Sequence, residues 1–255
     1  MLTGNRALVR RPSPRLAEGL LTHLGRTAVD VDLAERQWAS YVGALESCGW
    51  ERIDVAPAAE CPDSVFVEDT VIVYGDTAVV TRPGAPQRRP ETQGTRAALD
   101  GLGLRIVDLP GGSLDGGDVL RVGNRVYVGR SGRTDAAGIA ALRETLAPLG
   151  ALVTGVPVTK ALHLKSAVTA LPDGTIVGWP PVVDDPGFFP HFRAMPEEGG
   201  AHVVDLGEGR LLMSDSAPRS AGLLADLGYT PVVVGISEFE KLEGCVTCLS
   251  VRLRA

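Results

Sequence analysis

Val119-Leu-Arg-Val-Gly-Asn-Arg-Val-Tyr-Val-Gly129 reads as two short apolar strands around a Gly-Asn turn, and the helix and strand that succeed it decide the fold. Arg130-Ser-Gly-Arg-Thr-Asp135 is placed to cap a helix running to about Leu149, and Ala151-Leu-Val-Thr-Gly-Val156 is a further strand. The same order occurs upstream. Ser64-Val-Phe-Val, the acidic pair Glu68-Asp69 and Thr70-Val-Ile-Val-Tyr74 lead through a Gly-Asp turn to Thr77–Thr81. A helix through Leu99 and the strand Leu104–Leu109 complete that unit.

Downstream, a third hairpin joins Ser166–Leu171 to Thr175–Trp179 around Pro172-Asp-Gly. A fourth joins His202–Leu206 to Arg210–Met213, followed by a helix over Arg219–Leu227 and the strand Pro231–Gly235. The fifth unit opens near Cys248 and has no second strand after it. Its missing pieces stand at the other end of the chain: the strand Ala7–Arg10, a helix over Asp32–Ser47 with Asp32 as cap and Gly49 as stop, and the strand Arg52–Ala56. Hairpin–helix–strand units of roughly 40–50 residues imply a propeller or array. The pattern predicts an α/β fold of five such ββαβ units, closed by pairing of the N- and C-terminal strands. Since no unit can bury its sheet alone, residues 1–255 are read as a single catalytic domain. A division into two domains near Pro157 is the alternative.

The closing stretch, Glu243-Gly-Cys-Val-Thr-Cys-Leu-Ser-Val-Arg-Leu-Arg-Ala255, carries an apolar run typical of a core strand with two thiols at its mouth. A cysteine there has a fixed backbone and a sulfur free to face a cleft, which suits a nucleophile. The plainer reading is that Cys245 and Cys248 are small core hydrophobes. Their C-x-x-C spacing lacks the second ligand pair of a structural zinc site, and it opens a strand where thioredoxin-like motifs open a helix.

A net charge of −6 and the lack of a continuous basic face argue against nucleic acid as a partner. No apolar run approaches a membrane span, and the first residues lack the apolar core of a signal peptide. Four cysteines without framework spacing predict reduced thiols and a cytoplasmic location. The remaining residues suited to chemistry sit at strand mouths of different units. Pro62-Asp-Ser-Val-Phe-Val-Glu-Asp69 brings three carboxylates, and Gly111-Gly-Ser-Leu-Asp-Gly-Gly-Asp118 brings two more among glycines. The glycine run precedes a strand rather than a helix, so it is no dinucleotide loop. Ala161-Leu-His-Leu-Lys-Ser166 brings a histidine. Singly, these are turn carboxylates and a core histidine. Together, a carboxylate, a histidine and a cysteine at separate mouths meet the needs of nucleophile, base and orienting group.

Phe66-Val-Glu-Asp69, Thr81-Arg-Pro-Gly84 with Arg88-Arg89, Leu114-Asp-Gly-Gly-Asp118, Arg133-Thr134, Leu162-His-Leu-Lys165 and Cys248 resemble the dimethylarginine dimethylaminohydrolases. These belong to the guanidino-group-modifying superfamily, whose fold is the five-bladed α/β-propeller, or pentein. The resemblance runs from the first strand to the last. It implies hydrolysis of Nω-methylated L-arginines to L-citrulline and methylamine or dimethylamine, with no metal or organic cofactor and a small-molecule substrate; a homodimer is compatible with it.

By position, the resemblance makes Cys248 the nucleophile, His163 the general acid/base and Asp115 the carboxylate on the guanidinium and histidine. Asp69 would hold the other guanidinium nitrogens, with Glu68 beside it. Arg88 and Arg133 would bind the α-carboxylate, and Asp63, Leu20 and Leu242 would surround the α-amino end and stem. Asp118 is expected to be a structural acceptor. Cys245 departs from the family's small residue there. Arginine deiminases carry an aspartate two residues after the histidine, where this chain has Lys165, so the resemblance favours methylated over unmodified guanidines. A deiminase-like hydrolase, a non-catalytic binder of arginine derivatives and a C-x-x-C redox protein are the rival readings.

Overall fold

A computed structural model of the chain describes residues 4–254. Strand β1 (Arg6–Val9) is followed by helix α1 (Val31–Ser47) and β2 (Glu51–Asp54). The next unit is β3 (Val71–Tyr74), β4 (Thr77–Val80), α2 (Glu91–Leu99) and β5 (Arg105–Asp108). Then come β6 (Val119–Val122), β7 (Arg125–Arg130), α3 (Ala136–Leu146) and β8 (Leu152–Pro157). The third unit has β9 (Val168–Ala170), β10 (Ile176–Gly178) and β11 (Phe192–Ala194). The fourth has β12 (Val204–Gly207), β13 (Arg210–Ser214), α4 (Pro218–Asp226) and β14 (Thr230–Val234). A short helix α5 (Ser237–Glu240) leads to β15 (Val251–Leu253).

One rule governs all five sheets. The middle strand runs antiparallel to the first and parallel to the third, as in β3-β4-β5, β6-β7-β8, β9-β10-β11 and β12-β13-β14. The fifth sheet obeys it across the two ends of the chain: β15 pairs antiparallel with β1, Leu8 opposite Val251, and β1 pairs parallel with β2. This is the five-bladed α/β-propeller.

The core is split in the same way. Ile72, Val79, Val128 and Leu142 join the β3 and β6 sheets, whereas Tyr127, Val156, Val168 and Ile176 join the β6 and β9 sheets. Val177, Met195, Leu211 and Leu224 fill the next junction, Val204, Leu212, Trp38 and Tyr41 the one after, and Leu8, Leu253, Ala78 and Leu99 the last. Each cluster takes side chains from two adjacent blades, so no blade has a core of its own.

Four expectations change. Asp30, not Asp32, caps α1, accepting from the Leu33 N–H at 2.9 Å; Asp32 instead sits in the first turn, where the helix dipole favours an acid. The apolar run at Ser64 is not a strand: residues 63–70 are turns and a 3-10 turn, and the hairpin begins only at Val71. The third unit has no α-helix. Pro180, Pro181 and Pro186 confine its connection to two short 3-10 turns, because proline starts a turn but cannot donate within a continuing helix. Finally, Cys248 lies in a β-turn three residues ahead of β15, closed by its own N–H on the Cys245 carbonyl at 3.1 Å.

Candidate active site

Every first strand is approached through a buried turn. The 3-10 turns Val67–Thr70, Gly116–Asp118, Leu164–Ser166 and Glu198–Ala201 precede β3, β6, β9 and β12, and the Cys245–Cys248 turn precedes β15. The second of these touches both the first and the third, so the ring brings residues about 50 positions apart into contact. Four of the five turns supply the site's ionisable groups: Asp69, Asp115 with Asp118, His163 and Cys248.

His163 is fixed from both sides. Its Nε2 lies 3.0 Å from Oδ2 of Asp115, and its Nδ1 lies 3.9 Å from Oδ1 of Asp69. Asp115 is wholly buried, with its other oxygen accepting the Gly84 N–H at 2.8 Å. Gly117 donates its N–H to Asp69 Oδ1 at 2.8 Å, and a Cβ there would come within 2.6 Å of His163 Nδ1. That contact explains the glycine. Asp118 receives the hydroxyls of Ser131 and Thr134, each at 2.6 Å, and the Leu164 N–H at 2.9 Å. It therefore anchors the histidine loop and touches no part of the cavity.

These surroundings set the charges. Burial works against the imidazolium, but Asp69, Asp118 and Asp115 outweigh it and raise the His163 pKa to about 9. Burial alone would raise Asp69, yet His163 and Arg88 hold it at about 2. Burial pushes Asp118 up to about 6 against the pull of His163 and its hydrogen bonds. At neutral pH the site holds a buried imidazolium beside an ionised Asp69.

The Cys248 turn is held by Tyr41 of α1, whose hydroxyl donates to the Val246 carbonyl at 2.9 Å, and by the Glu68 N–H on the Cys248 carbonyl at 3.2 Å. Cys248 Sγ lies 3.3 Å from Cys245 Sγ. The shared hydrogen bond with Cys245, burial and the nearby carboxylates raise the Cys248 thiol well above its usual range. The free site thus keeps Cys248 protonated, and a bound cation is needed to favour the thiolate.

Cys248, His163 and Asp69 line one cavity with Asp63, Arg88, Arg133, Leu20 and Leu242. Arg133 brings a guanidinium with no hydrogen bond among the described residues, 3.8 Å from Asp115. Arg88 is committed: Nη1 to Asp69 at 2.6 Å, and Nε and Nη2 to Glu91 at 3.1 and 2.9 Å. Asp63 accepts the Leu20 N–H with both oxygens, at 3.1 and 3.2 Å. Asp115 reaches the site through His163. The donor atoms of Asp69, Asp115 and His163 all lie within 4.8 Å of one another. Arg88 and Gly117 already occupy the two oxygens of Asp69 and Gly84 one oxygen of Asp115, so the carboxylates of this trio are engaged by protein donors.

Glu68 is a correction. Adjacent residues of a tight turn point apart, and its carboxylate leaves the cavity to pair with Lys165 at 2.6 Å and Arg252 at 3.1 Å. Lys165 is drawn away with it. Two residues escape the sequence reading. Glu91, which fixes Arg88, stands three positions after it on α2, a spacing that signals such pairs. Glu243 borders the cavity through tertiary contacts that no local pattern shows.

The chain is 61% identical over 255 residues to the N(G),N(G)-dimethylarginine dimethylaminohydrolase of Streptomyces coelicolor, covering 99% of this chain and 98% of that one. It matches no family model. Among solved structures, a cysteine-to-serine variant of the Pseudomonas aeruginosa dimethylarginine dimethylaminohydrolase complexed with citrulline aligns with a TM-score of 0.88 at 31% identity, over 99% of this chain and 100% of that one. A histidine-to-glycine variant of such an enzyme, in adduct with S-methyl-L-thiocitrulline, also gives 0.88 at 31% identity, over 98% and 100%.

Proposed function

The chain belongs to the dimethylarginine dimethylaminohydrolase family, and on that premise we propose that it hydrolyses monomethyl- and asymmetric dimethyl-L-arginine to L-citrulline and methylamine or dimethylamine. The observation that carries this reading is a buried imidazolium, His163, clasped by Asp69 and Asp115 in the same cavity as Cys248. The whole of residues 1–255 works as one catalytic unit, because the site draws on turns from four blades.

A guanidinium carbon is a weak electrophile, since its charge is delocalised. Asp69 fixes the plane of the ion, and the cation's charge beside the sulfur favours the thiolate, so the Cys248 thiol gives up its proton to solvent water. Cys248 attacks the carbon, and His163 gives its proton to the departing amine. Water, deprotonated by the now neutral His163, then attacks the covalent thiouronium, and the C–S bond breaks to release citrulline and regenerate the thiol. Arg133, with free donors, binds the α-carboxylate; Arg88 acts mainly by holding Asp69. Asp63, with the backbone of Leu20 and Leu242, takes the α-amino end.

Lys165, tied to Glu68 off the cavity, adds no acceptor for an unmodified guanidinium. A methylated nitrogen, with fewer N–H donors, leaves fewer groups unpaired there. Methylarginines are therefore turned over at least ~100-fold better in kcat/KM than arginine, roughly 2.7 kcal/mol. Symmetric dimethylarginine fails, since one methyl displaces a carboxylate contact. The protein acts in the cytoplasm, a location supported by its four free cysteines; no helix among the described residues is long and apolar enough to cross a membrane. The test is a substrate panel scored for citrulline and released amine. Faster release of ammonia from arginine than of dimethylamine from asymmetric dimethylarginine overturns the assignment.

A further inference from the structure

The catalytic cavity leaves about 20 Å3, room for one water-sized molecule, so no arginine derivative enters it unless part of its wall moves. The wall best suited to move is the lid over residues 19–29. Residues 22–28 are exposed and in no regular structure, so little apolar burial holds them. One side chain holds the lid tip, while Arg26 ties the same loop to the Ala17 and Gly19 carbonyls at 2.6 Å each and Lys241 donates to the Ala28 carbonyl at 3.0 Å. The Glu243 carboxylate accepts the backbone N–H groups of Thr22 at 2.9 Å, His23 and Leu24 at 2.8 Å. Glu243 is also one of only two non-glycine residues with positive φ among the described residues, at +60°. An L-residue there is strained, and the strain aims the carboxylate at the lid. On the far side of Glu243, His23 and Leu24 lies a cavity of about 600 Å3 between the third and fourth blades. Leu162, Glu243 and Gly244 line both cavities and form the partition between the narrow catalytic one and the roomy one, with the lid tip on the roomy side of Glu243.

We infer that Glu243 is the positioning residue that latches the lid, and that its hydrogen bonds to residues 22–24 break to admit the methylarginine and re-form to close over it. Glu243 lies next to Leu242 and two residues before Cys245, so the latch shares a strap with the nucleophile turn. The lid carries Leu20, whose N–H is bound to Asp63, so loss of the latch loosens the α-amino end of the site. The inference rests on the proposed hydrolase reading for its consequence in turnover, but the latch itself is tested without substrate. Amide hydrogen exchange of peptides covering residues 20–27 should accelerate at least about tenfold in Glu243→Ala and to a lesser extent in Glu243→Gln, as expected for loss of charge-assisted bonds. Trypsin should cut faster after Arg26 in both. KM for asymmetric dimethylarginine should rise about tenfold with a smaller change in kcat, because chemistry on the bound substrate is left intact. Exchange and cleavage as slow as in the unaltered protein, with thermal stability unchanged, would overturn the latch. A wild type inactive on methylarginine but with lid exchange released by the substitutions would sink the substrate reading alone.

A second, independent observation concerns Cys245, which the mechanism does not use. Its sulfur lies 3.3 Å from that of Cys248, and the turn that joins them brings their Cα atoms within about 7 Å, at the range of a disulfide. We propose that Cys245 and Cys248 form a reversible disulfide. A hydroperoxide oxidises one sulfur of the pair to a sulfenic acid, releasing an alcohol or water; the other sulfur attacks it, and water leaves as the S–S bond forms. Two electrons pass from the thiol pair to the peroxide, and an external dithiol reverses the change. After hydrogen peroxide, tryptic peptide 242–252 should lack two hydrogens, and dithiothreitol should restore activity. Cys245→Ser should keep its activity before treatment and lose it irreversibly, with sulfinic acid on Cys248. Irreversible loss to the same extent in wild type, with no dehydrogenated peptide, would overturn the proposal.

Discussion

The loop carrying His163 and the lid over residues 19–29 border the same cavity but are held by opposite means. Ala161 and Leu164 on either side of the histidine are buried in the core between the second and third blades, and Asp118 ties the loop's backbone to the Ser131–Thr134 turn. The lid tip has no core behind it and hangs on the Glu243 carboxylate through its N–H groups. In the proposed mechanism, groups that keep their geometry through two chemical steps sit on over-determined turns, whereas the proposed lid is held by solvent-exposed hydrogen bonds with no core behind them. Cys248, the proposed nucleophile, belongs to the first kind, since Tyr41 and Glu68 fix its turn.

The sharpest way to break the comparison lies on the rigid side. Cys248→Ser should cut citrulline formation by ~10³-fold or more while circular dichroism and thermal stability stay as they were, because Tyr41 and Glu68 hold the turn and a serine oxygen can accept the Cys245 N–H in place of the sulfur. Asp118→Ala should come next. It leaves two hydroxyls and an N–H buried without an acceptor, costing about 2–4 kcal/mol, and should lower Tm by roughly 5–10 °C together with kcat. Leu24→Ala, on the half-exposed lid tip, should leave Tm unchanged. Equal losses from the two would erase the distinction.

The charges sharpen it further. With the imidazolium stabilised to about pH 9, kcat/KM should fall on the alkaline side with a midpoint near there. The sign for stability agrees: a pKa raised from 6.5 contributes stability that is full below about 6.5 and lost as pH rises through about 9. Asp69→Asn removes the strongest attraction on His163, so the histidine followed by NMR should titrate at lower pH; an unchanged midpoint would show that Asp69 does not hold it charged. The smallest effect is expected from Arg133→Lys. Loss of the planar fork should raise KM for methylarginine about tenfold and lower kcat less, and an analogue lacking the α-carboxylate should bind both forms alike.

The ring was legible in the sequence because each hairpin announces itself by apolar residues around Gly-Asp, Gly-Asn, Pro-Asp-Gly or Gly-Glu-Gly, and because the half-unit after Leu249 finds its complement in β1, α1 and β2. The mouths were legible for the same reason: whatever precedes a first strand faces its counterparts. Which way a side chain leaves its turn was not. Glu68 and Asp69 are neighbours of equal chemistry, and only the ion pair with Lys165 and Arg252 shows that one of them faces away. Ser64-Val-Phe-Val has strand composition because its turn is buried, so burial imitated β-propensity. Glu243 was illegible altogether, since its partners are backbone N–H groups some 220 positions away.

The central claim is covalent catalysis by Cys248 with His163 supplying and then removing protons. Its most direct test is mass spectrometry of wild type and His163→Gly quenched during reaction with asymmetric dimethylarginine. Tryptic peptide 242–252 should gain the thiouronium mass on Cys248, transiently in wild type and persistently in His163→Gly, where no group is left to deprotonate the water. No adduct in either protein, together with full activity in Cys248→Ser, would contradict it.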